Sequence, residues 1–191
     1  MDDNSKRQLV ADFFDAIGED SSRPGLVDTP DRVIRSWKEM FRGYDPAQAP
    51  KVTAFDNGTD GIVYDQMIVD TGDFYSHCEH HIIPFFGKYW FAYIPAPDGK
   101  LLGLSKVART VDYFSAKLQI QERLVSEIVD YLWDALTDNC PAPLGMALTI
   151  KGEHLCKTMR GAKKKGTMTT TKLVGVFNSV DTRNEFLKQI K

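Results

Sequence analysis

No apolar run in this chain approaches the roughly 20 residues that an α-helix needs to cross a bilayer, so a membrane-spanning role is not expected. The opening residues Met1-Asp2-Asp3-Asn4-Ser5 hold no apolar segment of a secretory leader, and no such signal is expected either. An excess of charge is also missing. The 24 Lys and Arg stand against 26 Asp and Glu, and a formal net charge of −2 argues against a general binder of nucleic acid or membrane surfaces. Three cysteines are too few for a disulfide framework and fit a reducing cytoplasm. Nor are they spaced as the paired knuckles of a zinc ribbon. No internal repeat or low-complexity tract is visible. What is left, 42% hydrophobic and 26% charged over 191 residues, is the composition of a soluble globular protein with room for one ordinary domain and a small helical extension.

The scarce residues are unevenly placed. All four histidines and two of the three cysteines fall in Ser76-His77-Cys78-Glu79-His80-His81 and in His154-Leu155-Cys156. The third, Cys140, precedes Pro141 in a loop and reads as structural. Thiolate and imidazole are preferred zinc ligands, three with water at a catalytic site and four at a structural one. The two segments offer five donors: Cys78, His80, His81, His154 and Cys156. On an extended strand Cys78 would share a face with His80; in a turn or helical start it would share one with His81. The second segment follows the β-rich run Met146-Ala147-Leu148-Thr149-Ile150, which would point His154 and Cys156 the same way. A lone Cys-x-x-His pair is usually inert packing, but here two separate segments agree. A histidine left over beside the metal is what proton transfer would use.

Along the chain, Leu9, Val10, Phe13, Phe14 and Ile17 give Lys6 to Ile17 one helical stripe that Gly18 stops. Asp28-Thr29-Pro30-Asp31 predicts a second helix, with Thr29 as cap and Pro30 in the first position, ending at Gly43. The Pro-, Gly- and Asp-rich residues from Asp45 to Gly61 read as a linker. Then come a strand over Ile62 to Val69 and its hairpin partner over Lys88 to Ile94, with the Cys78/His81 segment between them. Ser105 caps a helix to Phe114, and Lys117 to Leu136 predicts another, with leucines and isoleucines at four-residue steps. Gly145 to Ile150 and Thr167 to Phe177 form a second strand pair, and Asp181 caps a last helix. The order ββααββ predicts an α+β fold, an antiparallel sheet with two helices on one face, preceded by an N-terminal helical unit. The division expected is 1–60, helical extension and linker, and 61–191, catalytic domain.

With these residues in hand, the chain resembles the zinc-dependent, folate-pathway GTP cyclohydrolase I family. The resemblance runs over nearly the whole chain. It is carried by Arg23 to Tyr44, by Phe74 to His81 with Pro84-Phe85, by Gly103 to Arg109, by Leu118 to Leu124, by His154-Leu155-Cys156 with Arg160-Gly161, and by Gly175-Val176-Phe177 with Thr182 to Leu187. It implies the tunnelling fold (T-fold), cytoplasmic homodecamers of two stacked pentamers with active sites at subunit boundaries, and no nucleic-acid or membrane partner. The implied reaction turns GTP into formate and 7,8-dihydroneopterin triphosphate by attack of a zinc-bound water on C8 of guanine, a step of tetrahydrofolate biosynthesis and one-carbon metabolism that biopterin and deazaguanine routes share.

The resemblance also implies roles. Cys78, His81 and Cys156 would bind Zn²⁺, His154 would protonate N7, and His80 would assist proton movement or else orient a ligand. Glu122, with Gln121 as helper, would hold the guanine N1–H and amine; by itself Glu122 would pass for a solvated helix-face charge. Lys106, Arg109 and Arg160, with Ser105 nearby, would clamp the triphosphate. Lys163-Lys164-Lys165 could extend that clamp but reads as a solvated run. His77 and Lys157 depart from or vary around the family pattern and receive no role. Two other readings compete: a GTP hydrolase that opens the ring without completing the pterin, and a structural zinc module. The second leaves Lys106, Arg109 and Arg160 unexplained.

Overall fold

In the run Pro84 to Ile94, Phe85, Tyr89, Phe91 and Tyr93 alternate with Phe86, Trp90, Ala92 and Ile94, so both faces of a strand are apolar. Such a strand belongs at the centre of a sheet covered on both sides. The computed structural model, which describes residues 1–190, puts it there. Strand β3 (Pro84–Ile94) pairs antiparallel with β2 (Ile68–Cys78) on one side and with β6 (Gly145–His154) on the other. Strand β7 (Thr167–Gly175) pairs antiparallel with β6, and β5 (Leu118–Gln119) adds two residues parallel to the end of β2. The order is β5-β2-β3-β6-β7, so the chain is α+β and its main sheet is mixed rather than wholly antiparallel.

Phe74, Phe85, Tyr89, Phe91, Tyr93, Met146, Leu148 and Ile150 share one face with Val107, Val111 and Phe114 of helix α3 (Ser105–Ser115) and with helix α4 (Gln121–Thr137). In α4 the buried Leu124, Ile128, Leu132 and Leu136 recur every four residues, the stripe that faces the sheet. On the other face Ala92 and Ala147 meet Phe177 and Phe186, the latter from helix α6 (Val180–Gln189). The small alanines let those two rings approach in an edge-on contact, with centroids 5.8 Å apart.

Helices α1 (Asp3–Ile17) and α2 (Thr29–Met40) precede the sheet. The side chain of Asp2 accepts the Ser5 N–H, and Gly18 closes α1 in the left-handed region at φ 79°, where glycine carries no Cβ penalty. Several boundaries differ from the sequence expectation. The strand expected over Ile62 to Val69 lies later, because Gly72 and Asp73 read as breakers but serve the sheet. A Cβ on Gly72 would stand 2.7 Å from the Tyr89 ring, so the glycine makes room for that ring. The helix expected from Lys117 starts at Gln121, since Leu118 and Gln119 pair with His77 and Cys78. Within the expected linker, β1 (Ala54–Asp56) pairs with β4 (Lys100–Leu102). Position Asp28 rather than Thr29 precedes α2, and Ser179 rather than Asp181 caps α6. Ser105 lies inside α3 without a capping bond. No helix of the described residues is long and apolar enough to cross a membrane.

Leu132 is fully buried between α4 and the sheet. Leu132→Ala should cost about 2–5 kcal/mol, the lost transfer energy plus the cavity. Urea unfolding checks it, and a loss below about 1 kcal/mol would show that this site collapses or is already loose.

Candidate active site

The sheet ends where β2 and β6 stop and α4 begins. Beyond β2 the chain turns tightly: the Cys78 N–H donates to Ile83 O at 3.0 Å, and the Cys78 carbonyl accepts from Ile82 N at 2.8 Å and His81 N at 3.3 Å. Ile82 adopts a positive φ of 56° to close this turn. The turn, not a continued strand, brings His81 back beside Cys78. On β6, His154 lies on the same face as Ile150 and directly opposite Phe85. Their rings stack at 4.5 Å with an interplanar angle of 5°. The strand stops there, and Cys156 stands on a single helical turn, α5 (Leu155–Thr158), instead of on the strand as expected.

These two chain reversals place the ligand atoms of Cys78, His81 and Cys156 within 4.8 Å of one another. The set suits zinc: two thiolates and an imidazole at about 2.3 and 2.0–2.1 Å leave the fourth tetrahedral position open. Burial, and then the neighbouring Cys78 thiol, push the Cys156 thiol above its ordinary range. Two adjacent sulfurs cannot both ionise cheaply without a cation between them. Cys78 is buried, Cys156 half-buried and His81 exposed.

The surroundings are polar and directed. The Arg160 guanidinium donates to His81 Nε2 at 2.9 Å. His80 is exposed, with Nδ1 3.6 Å from the Cys78 sulfur. His154 Nε2 lies 3.1 Å from Gln121 Oε1. Burial pushes the His154 imidazole below its ordinary range, with the charge of Glu122 opposing. Glu122 is exposed in the first turn of α4, where the helix dipole favours a carboxylate. Gln121, expected to reach guanine, is instead 1% exposed and bonded within the protein.

Ser105 and Lys106 are not brought to this group, and Arg109 follows one turn further along α3. Ser105 and Lys106 line a separate cleft of about 820 Å³ with Asp70, Thr71, Gly72, Asp73 and Tyr89. Asp73 and Cys78 are five strand residues apart, roughly 17 Å at about 3.3 Å per residue. Lys163, Lys164 and Lys165 are exposed and, among the described residues, pair with no carboxylate. Sequence reasoning did not single out the Arg123–Glu79 ion pair, which fastens the metal turn to α4, nor Gly152. A glycine inside a strand was the available signal for the latter.

The family model described as GTP cyclohydrolase I matches residues 6–191. A protein of Clostridium kluyveri named GTP cyclohydrolase 1 is 41% identical over 194 residues, covering 100% of this chain and 99% of that one. Proteins of the same name from Finegoldia magna, 44% identical over 97% of this chain and 96% of theirs, and from Aquifex aeolicus, 42% identical over 100% and 98%, are similar along the same length.

A Cys156→Ser variant should fold and bind zinc far more weakly, because a hydroxyl replaces a thiolate. Metal analysis after dialysis checks it; full zinc occupancy would remove Cys156 from the ligand set.

Proposed function

The chain belongs to the GTP cyclohydrolase I family, and we propose that it hydrolyses GTP to formate and 7,8-dihydroneopterin triphosphate. The observation that carries this reading is the convergence of Cys78, His81 and Cys156 beside His154, next to the exposed Glu122 at the start of α4. Zinc held by such a set, with one position open, supplies a Lewis acid that activates water near neutral pH. The remaining steps fall to side chains.

Glu122 offers two carboxylate oxygens to the paired N1–H and amine donors of guanine, and so aims C8 at the metal. His154 delivers a proton to N7, letting that nitrogen leave C8 as a neutral amine. Burial makes its imidazolium a stronger acid, and the negative charges of Glu122 and of a bound nucleotide work against burial to restore the protonated form. His80, beside the Cys78 sulfur, either relays protons or orients that ligand. Arg160, already held at His81, has the charge to meet the triphosphate near the metal.

The rest of the clamp begins at Ser105 and Lys106, which line the cleft along Asp70 to Asp73 rather than the metal group of their own chain. We therefore assign it to a neighbouring subunit in a homo-oligomer, a decamer of two pentamers. The open edges support that reading: β5 covers only His77 and Cys78 of β2, and β7 has a partner on one side alone. Two unpaired edges on one sheet invite copies to join head to tail into a closed ring. The division expected, 1–60 as extension and linker and 61–191 as T-fold catalytic domain, is crossed by β1, which pairs with β4, and three free cysteines fit a cytoplasmic enzyme.

Incubating the protein with GTP should release formate together with the pterin absorbance, both abolished by a chelator and restored by zinc. Formate without pterin would reduce the reading to ring opening alone. His154→Ala should keep its zinc and bind GTP, yet lose at least about two orders of magnitude in pterin formation. Loss of zinc would instead make His154 a ligand. Glu122→Gln replaces one acceptor oxygen with a donor facing the guanine donors. It should abolish most turnover while zinc and assembly persist, and unchanged kinetics would make Glu122 a solvated helix charge.

A further inference from the structure

The carboxamide of Gln121 is fixed by its surroundings. Its nitrogen lies 3.1 Å from Ile150 O, 3.1 Å from Met168 O and 3.0 Å from Thr170 Oγ1. Two of these are carbonyl oxygens that can only accept, so the NH₂ must face them; the reversed amide would set oxygen against oxygen. That leaves Oε1 for His154, whose Nε2 lies 3.1 Å away. An amide oxygen only accepts, so His154 Nε2 must carry the hydrogen. Ring orientation is set as well, because Phe85 stacks on the imidazole at 4.5 Å. Room for the amide comes from Gly152: a Cβ there would stand 2.7 Å from Gln121 Oε1.

We infer that Gln121 is a positioning residue that holds the His154 imidazole in its Nε2–H form and at a fixed tilt, and that it does not touch the nucleotide. Every polar atom of the Gln121 side chain is engaged inside the protein, at 1% exposure. A guanine edge would have to displace the bonds of an amide nitrogen whose two hydrogens are shared among three acceptors. The role rests on the reading of His154 as the proton-handling group, whereas the contact stands apart from it.

The chain has four histidines, few enough to resolve individually. The zinc-loaded full chain labelled with ¹⁵N-histidine, observed by magic-angle-spinning NMR, should show a metal-free imidazole with protonated Nε2 and bare Nδ1 whose signals are absent from His154→Ala. In Gln121→Met that pair of signals should move toward the Nδ1–H form or a mixture. Turnover of GTP should fall by about 10–100-fold in kcat, the scale of a misplaced reacting group, with KM unchanged. Gly152→Ala, which displaces the amide while keeping Gln121, should move both readouts the same way and covers the case in which Gln121→Met does not fold. Two results would overturn the inference: imidazole signals that stay put in the folded variants, or a raised KM with kcat intact, which would place Gln121 on the substrate. If the wild-type protein makes no pterin while the signals shift as expected, the catalytic reading fails and the positioning contact stands.

Discussion

Phe85 of β3 lies opposite Ser76 on one side and His154 on the other, and a slip of one residue in either pairing would turn Cys78 or His154 to the far face of the sheet. The ligands sit at strand ends, so they inherit this register directly. What holds it is distributed along β3. Phe85, Tyr89, Phe91 and Tyr93 point into the core shared with α3 and α4, while Ala92 faces the rings of Phe177 and Phe186. A slipped strand would bury small side chains where large ones belong on both faces at once. At the ligand end, Gly87 holds the register sterically: a Cβ there would come 2.0 Å from Lys151 O.

Charge is arranged around that frame. The two sulfurs stand close, and burial followed by the Cys78 neighbour raises the Cys156 thiol, which a bound cation would offset. Arg160 beside His81 is a cation that no carboxylate among the described residues neutralises, and the three lysines after Gly161 add to it. The Arg123–Glu79 pair works the other way, neutralising both partners while it ties the metal turn to α4. A chain of net charge −2 thus keeps an unneutralised cation, Arg160, beside His81.

Much of this was legible in the sequence, for identifiable reasons. Helical periodicity located α1, α2 and α4, although only the α4 stripe is fully buried, whereas Leu9, Phe13 and Ile17 of α1 are exposed. The clustering of cysteine and histidine pointed to a metal group but left His80 and His81 open, and the turn at Cys78 is what brings His81 beside Cys78 and Cys156. The start of β2 was not legible: its Asp70-Thr71-Gly72-Asp73 looks like a turn, yet Thr71 bonds to the Tyr89 carbonyl and Asp70 to the Tyr89 hydroxyl. Leu118-Gln119 looked like the start of a helix because two residues of parallel pairing leave no periodicity to read. The resemblance made Gln121 a helper of Glu122, and its bonds to Ile150, Met168 and Thr170, 29 to 49 residues away, were not legible. Contacts of that kind are set by the order of strands, which spacing along the chain does not reveal.

The fold also separates two halves of what the proposed reaction needs. The group at the ends of β2 and β6 can hold a metal and move a proton; the cleft at the start of α3 holds Ser105 and Lys106. The cleft borders the middle of β2, at Asp70 to Asp73, and the metal group its end, roughly 17 Å beyond Asp73 at about 3.3 Å per residue, and bending the strand would break the register that forms the ligand set. The economical way to unite the halves leaves each chain rigid and brings a second copy alongside through an open edge of the sheet. Catalysis and assembly would then be linked by mass action, since ligand bound across a boundary stabilises the boundary itself. Rigid sites placed on strand ends gain from this, because pairing between edges transmits the register of one sheet to the next.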